Sequence, residues 1–388
     1  MKLVFYTNYL NHHQVPIADE LYHHLGEDYC FVTTSTTSEL ELKGGEDYSS
    51  RPYCLQAFES AGHYEKALRL AREAETCVFG SNSQSFAIER ARNNPKGLSF
   101  EMGERWLKHG LLNIGSPVFR KWLWNYYHYY RKTNFHKLCC GSFTSSDDER
   151  LGAYKGRHYK WGYFTNAENS VVEAIRDDVA AKEKVRFLWC ARFLVWKHPE
   201  LAVKLAARLK TDGCDFEMYM YGDEDLSARR TATYSKKSLE TLIEKLGVGD
   251  VISLMGTQPN SEIVNAMRGA DIFLFTSDHL EGWGAVANES MANGCALVAS
   301  DAIGSTDYLV KHKETGMVFR SCSLESLYEQ VKYLLDYPED RRRIAKTGQK
   351  WMADVWSPAK AASNLLQLID DLKAGNGTSI LQGPCSKA

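Results

Sequence analysis

Two glutamates around a glycine-containing turn form the part of this sequence that is most suited to chemistry. Glu281-Gly282-Trp283-Gly284 follows an apolar run ending at Phe275, and Glu289 lies eight positions after Glu281. Glycine lets the backbone approach a ligand closely, and a helix that begins after the turn offers unpaired N–H groups to a phosphate. A strand, a turn and a helix with two surface glutamates are the ordinary alternative for this segment, which is therefore weak evidence when taken alone.

Two cations precede this segment in the chain. Arg192 follows the strand-like run 185–191, and Lys197 comes five residues later, just before a predicted helix at Pro199. The carboxyl ends of parallel strands meet at one edge of a sheet, so we expect both cations to share that edge with Glu281. Two cations beside a helix start suit a diphosphate, whose charge must be stabilised when it leaves.

The set as a whole resembles the retaining glycosyltransferases of family 4 (glycosyl transferases group 1), which have the GT-B fold. The resemblance covers roughly residues 185–354 and the N-terminal half only in outline. It implies that Arg192 and Lys197 hold the donor diphosphate, that Glu281 contacts the donor sugar and that Glu289 binds the ribose. Backbone at Met255-Gly256 would flank the base.

The same resemblance implies the reaction and its substrates. A hexose-type sugar would pass from a nucleotide-sugar donor, with UDP-sugar first and GDP-sugar second, to a glycan or lipid-linked acceptor in surface polysaccharide or glycolipid synthesis. The departing diphosphate would assist deprotonation of the acceptor, with cations in place of a metal and without a cofactor. The other donor-binding residues implied are Gly256, Ser277, Gly282, Trp283 and Gly284.

The N-terminal loop departs from the family pattern. Many relatives have a glycine pair here, whereas this chain has Asn11-His12-His13-Gln14. We predict that His12 or His13 contacts the transferred sugar or relays a proton, with a loop of solvated histidines as the alternative. Relatives also have a histidine after a later strand, where this chain has Glu101 and Glu104, so either glutamate is a candidate for the acceptor side.

Strand-like and helix-like runs alternate along the chain, which predicts an α/β protein with parallel sheets. The pattern restarts near Val185, which predicts two Rossmann-like, doubly wound domains facing a central cleft, the GT-B arrangement. We place the N-terminal domain at 1–165, the nucleotide-sugar domain at 166–358, a helix that crosses back to the N-domain at 359–374 and a mobile tail at 375–388. Residues 161–184 are predicted to act as a hinge.

Composition limits the partners. The formal net charge is −2 for 388 residues, which gives no reason to expect nucleic acid. No apolar run is long enough for a membrane span or a signal peptide, which predicts a cytoplasmic protein. Basic and aromatic residues alternate in 96–137, so peripheral contact with the inner membrane face through 120–137 competes with a helix whose aromatic side chains pack inward.

Other interpretations stay open at this point. Asp223-Glu224-Asp225 has the spacing of a metal-binding DxD, but its acidic surroundings leading to Arg229-Arg230 favour a solvated loop. The alternatives to a transferase are another GT-B enzyme, such as a nucleotide-sugar epimerase or a phosphorylase, and a non-catalytic nucleotide-sugar-binding module. The identities of the sugar, base and acceptor, the linkage and the oligomeric state are not encoded in these motifs.

Overall fold

The computed structural model describes residues 1–36, 48–165, 184–224 and 232–388. The predicted hinge falls mostly in 166–183, outside the described residues, and Trp161 belongs to a strand. The described chain divides into two compact units, Met1–Thr165 with Val355–Ala388, and Asn166–Asp354.

The first unit contains a seven-stranded parallel sheet in the order β3-β2-β1-β4-β5-β6-β7. Four of its strands, β1, β2, β4 and β6, are buried along their whole length, because a parallel sheet is covered by helices on both faces. The strands are β1 (Leu3–Thr7), β2 (Tyr29–Thr33), β3 (Cys54–Gln56), β4 (Thr76–Phe79), β5 (Leu98–Gly103), β6 (Phe135–Cys140) and β7 (His158–Trp161).

The second unit contains a six-stranded parallel sheet in the order β10-β9-β8-β11-β12-β13. In each sheet the direction in which new strands are added reverses once, between β1 and β4 and between β8 and β11, and loops at such a reversal form the usual ligand site of doubly wound folds. The strands are β8 (Val185–Cys190), β9 (Phe216–Tyr221), β10 (Ile252–Gly256), β11 (Ile272–Phe275), β12 (Ala296–Ser300) and β13 (Met317–Phe319).

Helices connect the strands, and several begin at a serine whose hydroxyl accepts a backbone N–H of the first turn, as N-cap preferences predict. These serines are Ser60, Ser116, Ser235, Ser323 and Ser357. The helices are α1 (Val15–Leu25), α2 (Ala61–Glu73), α3 (Gln84–Asn93), α4 (Pro117–Asn125), α5 (Phe143–Arg150), α6 (Pro199–Thr211), α7 (Lys236–Leu246), α8 (Asn260–Gly269), α9 (Val286–Ala292), α10 (Thr306–Leu309), α11 (Leu324–Asp336), α12 (Pro338–Asp354) and α13 (Pro358–Lys373).

The C-terminal segment belongs to the first unit. Helix α13 contacts α1 and β5, and Lys373 of α13 is 2.6 Å from the Glu75 carboxylate. The chain already enters this unit at Val355, three residues before α13 begins, whereas the sequence placed residues up to 358 in the nucleotide-sugar domain.

Residues 375–388 are packed in the structure, although their composition predicts a mobile tail. The Cys385 N–H donates to the Lys160 carbonyl at 2.7 Å, and the Lys160 N–H donates to the Ser386 carbonyl at 2.8 Å. Cys385 is fully buried. Because β7 is an edge strand with unpaired backbone groups, it offers this segment hydrogen-bond partners that composition alone does not reveal.

Candidate functional site

The loops that follow β8 and β11 bring together several of the predicted residues in the second unit. Arg192 and Lys197 lie in the loop after β8, while Ser277 and Glu281 lie in the loop after β11. Since β8 and β11 are neighbours at the reversal of the sheet, their loops emerge side by side.

Hydrogen bonds join these two loops. The Thr276 hydroxyl donates to the Lys197 carbonyl at 2.7 Å and accepts the indole N–H of Trp189 at 2.8 Å. The Asp278 N–H donates to the Trp196 carbonyl at 2.9 Å. Both ends of the loop after β8 are thereby fixed relative to β11, so the side chain of Lys197 is held over the second loop.

Lys197 and Glu281 form an ion pair, with the lysine Nζ bonded to the Glu281 Oε2. Their side chains are 13% and 10% exposed. The Ser277 hydroxyl donates to the same carboxylate oxygen at 3.1 Å, and the Lys197 ammonium lies 4.3 Å from the centre of the Trp196 ring. The structure therefore places a cation, a carboxylate and a hydroxyl within one small cluster, with Lys197 and Glu281 at the shared edge that the sequence predicted for them.

His198 adds a second positive charge that the sequence analysis missed. It has φ 52° at the start of α6, and its ring lies 2.9 Å from Glu200 and 3.4 Å from Asp278. Hydrogen bonds to Asp278 and Glu200 raise the pKa of His198 to about 10, so it is protonated at neutral pH. The only sequence signal was a histidine directly before the proline that begins a helix.

The glycine turn is shaped by packing. Gly284 has φ +80°, and a Cβ at this position would lie 2.2 Å from Cζ of Phe275, so the turn requires glycine. Trp283 is fully buried and its indole N–H donates to Asn288 at 2.8 Å. A donor contact from Trp283 would therefore have to come from its backbone, because the side chain is part of the core.

Glu289 lies in α9, which begins at Val286 and has seven residues. Glu281 precedes the helix, in the loop. Burial raises the pKa of Glu289 to about 7, so this carboxyl changes charge near neutral pH.

The carboxyl ends of β8, β9 and β10 approach one another through two glycines. Gly222 has φ +131°, and a Cβ there would lie 1.9 Å from the Ala191 carbonyl oxygen. Its N–H donates to the Gly256 carbonyl at 2.9 Å, and Gly256 itself has φ +67° with nothing within 4 Å of a Cβ position. Gly256 therefore has open space at the strand end where the sequence placed the base.

Arg192 is exposed directly after β8. In the acidic loop after β9, the Asp223 carboxylate accepts the Glu224 N–H at 2.8 Å, and the Asp223 carbonyl accepts the Phe193 N–H at 2.9 Å. Asp225, Arg229 and Arg230 lie outside the described residues.

In the first unit, His12 and His13 occupy the loop after β1, at the reversal of that sheet. The Asn11 side-chain oxygen accepts the His13 N–H at 3.0 Å, and the two imidazole rings lie 3.7 Å apart. His13 and Gln14 also line a small apolar cavity with Phe5 and Trp161. The loop thus presents both histidines at the carboxyl edge, where the sequence placed them.

Glu101 and Glu104 are engaged within the first unit. The Glu101 carboxylate lies 3.2 Å from the ammonium of Lys137 and accepts the Tyr154 hydroxyl. Glu104 is 2.6 Å from Lys108 and accepts the Tyr163 hydroxyl at 3.2 Å. Glu101 belongs to β5, so it is a strand residue with fixed partners.

Lys137 belongs to a buried polar network that sequence reasoning missed. Register pairs Glu101 of β5 with Lys137 of β6, and Lys137 with His158 of β7. The His158 ring lies 3.5 Å from Asp148. Burial would lower the pKa of Lys137, but Glu101 and Asp148 more than offset this and the pKa is raised. A lysine inside an apolar strand gave no pattern from which to predict the network.

Comparison with known proteins finds a family match for part of the chain and similar folds for nearly all of it. Residues 171–351 match the family model described as glycosyl transferases group 1. The structure of Anabaena Alr3699/HepE in complex with UDP has a TM-score of 0.69 at 14% identity, covering 96% of this chain and 100% of the other. Sucrose-phosphate synthase from Thermosynechococcus elongatus has a TM-score of 0.68 at 15% identity, covering 97% of this chain and 100% of that protein.

The chain therefore has the GT-B fold, and residues 171–351 within it match the glycosyl transferases group 1 model.

Curated relatives align with part of the chain only. A D-inositol 3-phosphate glycosyltransferase of Corynebacterium glutamicum is 32% identical over 34% of this chain and 30% of its own length. An N-acetylgalactosaminyltransferase of Campylobacter jejuni that acts on a diphospho-undecaprenol-linked sugar is 26% identical over 50% of this chain and 48% of its own. The chain thus spans less than half of the length of these relatives. Among the described residues of this GT-B protein, no helix is long and apolar enough to cross a membrane.

Proposed function

We propose that this GT-B protein transfers a hexose-type sugar from a nucleotide-sugar donor to a glycan or lipid-linked acceptor, with retention of the anomeric configuration as in family 4. The observation that carries the proposal is the Lys197–Glu281 ion pair, with Ser277 bonded to the same carboxylate, at the strand reversal of the second sheet. Relatives named for polysaccharide synthesis, such as the amylovoran biosynthesis glycosyltransferase of Erwinia amylovora, support the same pathway class.

The donor is proposed to be a UDP-sugar. Its diphosphate would be bound by Arg192 and Lys197, because a phosphate can replace the Glu281 carboxylate as the partner of the lysine. Glu281 would then be released to accept hydroxyls of the sugar. The structural neighbour from Anabaena is described with UDP and with UDP-glucose, which supports uridine over guanosine as the first choice.

The remaining roles follow from position. Glu289 would accept hydrogen bonds from the ribose hydroxyls, and backbone at Met255-Gly256 would contact the base. The backbone of the turn 282–284 would approach the donor. His12 or His13 of the first unit would serve the transferred sugar or the acceptor hydroxyl, which loses a proton to the departing diphosphate.

Chemistry at the leaving group depends on positive charge. Arg192, Lys197 and the protonated His198 supply three cations around the loop after β8, and such charges stabilise a departing diphosphate. We therefore expect transfer to proceed without added divalent metal. Activity that disappears in EDTA and returns with Mg²⁺ or Mn²⁺ would contradict this part of the proposal.

A thermal-shift screen against UDP-, GDP-, ADP- and dTDP-sugars tests donor binding. A donor at a hundred times its dissociation constant adds about 2.7 kcal/mol to the stability of the native state. Lys197→Met should lose this shift, while Lys210→Met should keep it, because Lys210 forms an exposed ion pair with Asp250 elsewhere in the same unit. Equal shifts in both variants would exclude the proposed diphosphate site.

Glu281→Ala tests transfer itself. We expect loss of product with retained binding of the free nucleotide, because the carboxylate acts on the sugar. Conversion of the donor sugar without any acceptor would instead indicate an epimerase, and donor binding without turnover toward any acceptor would indicate a binding module. Full transfer by Glu281→Ala would overturn the assignment of this residue.

A further inference from the structure

The segment 108–132 of the first unit presents an unusually apolar surface, called here the basic-aromatic surface. It comprises a short 3₁₀ helix (Gly110–Gly115), α4 and a π-helical turn (Tyr126–Tyr130). Leu111 and Leu112 are 69% and 86% exposed, and Trp124 is 54% exposed. Val118 and Trp122, one helical turn apart on α4, are exposed as well. A contiguous group of exposed large apolar side chains marks an interaction surface.

The opposite face of the same segment anchors it to the core. Phe119, Tyr126 and Tyr130 are buried, and the Tyr126 hydroxyl accepts the Tyr154 N–H at 2.8 Å. The aromatic residues of this segment are therefore divided between two faces, and both interpretations of the sequence apply, one to each face. The core of the first unit beneath this segment is already filled by its buried aromatic side chains. The exposed side chains therefore have no position in that core.

Charge identifies the kind of partner. No aspartate or glutamate occurs between Arg105 and Ser146. Arg120, Lys121, Arg131 and Lys132 are all exposed. Within the part of the chain that the structure describes, none of these four side chains forms an ion pair. The Arg120 guanidinium donates to the Gly115 carbonyl at 2.9 Å and Arg131 lies over the Tyr127 ring. Exposed cations around exposed leucine and tryptophan suit a partner that is anionic at its surface and apolar beneath.

A phospholipid bilayer has this layered chemistry. Tryptophan prefers the headgroup level, lysine and arginine bind lipid phosphates, and leucine enters the acyl region. Nucleic acid would match the cations but not Leu111 and Leu112, which no base-stacking contact requires. An acidic protein would match the cations, but it gives no particular reason for tryptophans beside a leucine pair.

We propose that the basic-aromatic surface docks this protein on an anionic phospholipid bilayer. Leu111 and Leu112 enter the outer acyl region, Trp122 and Trp124 lie at the headgroups, and Arg120, Lys121, Arg131 and Lys132 contact lipid phosphates. The inference rests on this surface alone and does not depend on the donor site in the second unit.

Vesicle flotation with the full chain tests the proposal. We expect binding to vesicles of phosphatidylcholine with 30% phosphatidylglycerol at low salt, and weak binding to pure phosphatidylcholine. Lys121→Glu with Lys132→Glu should weaken binding more than tenfold, since each basic residue near an anionic surface contributes about fivefold. The matched control is Lys66→Glu with Arg69→Glu, the same change of charge on exposed positions of α2, and it should retain binding to within a small factor.

Insertion is tested separately from charge. Leu111→Ser with Leu112→Ser should weaken binding at least tenfold, whereas Leu381→Ser, at a position that is also highly exposed, should have no effect. Lipids brominated on the acyl chain should quench tryptophan fluorescence in the wild type, and Trp122→Phe with Trp124→Phe should remove that quenching. Absence of binding to anionic vesicles at low salt overturns the proposal. So does a dimer that the leucine substitutions dissociate, because the occupant would then be a second copy of the chain.

Discussion

The two units place their charged side chains in different parts of the same architecture. In the second unit, Lys197 and Glu281 lie in loops beyond the ends of β8 and β11. In the first unit, Glu101, Lys137 and His158 lie within three adjacent strands, in register with one another. Loop charges can exchange one partner for another, whereas charges inside a buried strand keep the partners that the sheet register gives them.

This difference in position predicts which lysine can bind a ligand and which one stabilises the fold. Lys197, whose side chain is 13% exposed, can trade Glu281 for a phosphate at little cost, because the carboxylate keeps the Ser277 hydroxyl. Fully buried Lys137 cannot, because its removal leaves the buried Asp148 carboxyl without a neighbouring cation and takes the ion-pair partner from Glu101, which is 28% exposed. Two lysine–glutamate pairs of similar chemistry should therefore differ in how much stability is lost when they are broken.

The largest expected effect comes from breaking the buried pair. Lys137→Met should lower the free energy of unfolding by about 3–5 kcal/mol, because it leaves the buried Asp148 carboxyl without a neighbouring cation and removes the ion-pair partner of Glu101. Lys197→Met should lower it by no more than about 2 kcal/mol, the range for one hydrogen bond to a charged group. Urea unfolding at pH 7 measures both. Equal losses of unfolding free energy in the two variants would show that a charged side chain in a strand and one in a loop contribute equally to stability.

Alanine substitution at two glycines with positive φ tests how tightly the loops around them are packed. Gly284→Ala should cost about 3 kcal/mol, since it adds a clash with Phe275 to an unfavourable positive φ. Gly256→Ala should cost only about 1 kcal/mol, because it has the same kind of φ but open space around the Cβ position. Thermal or urea unfolding of the two variants gives the comparison. If Gly256→Ala is the more destabilising, the turn at 284 is less constrained than its packing indicates.

A pH titration tests the charge on the loop after β8. The folded-state pKa of His198, about 10, exceeds its ordinary value of 6.5, so its contribution to stability is complete below pH 6.5 and is lost as the pH rises through 10. Relative to His198→Gln, the wild type should lose about 1–2 kcal/mol over this interval. Stability differences between the two proteins at pH 6, 8 and 10 provide the measurement. A constant difference would mean that Asp278 and Glu200 do not hold the proton.

The smallest expected effect concerns Glu289. If its carboxylate accepts ribose hydroxyls, as proposed, it must be ionised, and its pKa of about 7 makes binding weaker as the pH falls. UDP-glucose, whose diphosphate diester does not titrate in this interval, should bind about tenfold more weakly at pH 6 than at pH 8. Glu289→Gln should bind more weakly than the wild type at pH 8 but lose this pH dependence. Calorimetry at the two pH values distinguishes the cases, and an unchanged dependence in the variant would assign it to another group.

Much of the fold could be predicted from the sequence. The apolar runs of β2 and β12 make these strands predictable, because a strand buried on both faces needs an uninterrupted apolar segment. The cluster of Lys197, Ser277 and Glu281 could also be predicted, since strand ends in a parallel sheet share one edge. These successes depend on local pattern and on a general rule of topology.

Sequence reasoning missed the residues whose role depends on contacts with residues far away in the chain. Lys137 appears as one lysine in an apolar run, and only the register with Glu101 shows its partner. His198 gains its charge from Asp278, eighty positions away. The resemblance implied that Trp283 binds the donor, but its indole is buried in the core, which leaves its backbone for that role. In each case the information lies in a tertiary contact that no short motif contains.

The return of the chain to the first unit at Val355 has a consequence for biosynthesis. The strand β7 and helix α1 acquire their partners in 355–388 only after the whole of 166–354 has been translated. At roughly 5–20 residues per second, this delay is about 10–40 s. The second unit, which is continuous in sequence, can complete its fold on the ribosome, whereas the first must wait with one sheet edge uncovered. A truncated chain that ends at residue 354 should therefore resist protease in 184–354 and remain sensitive around β7.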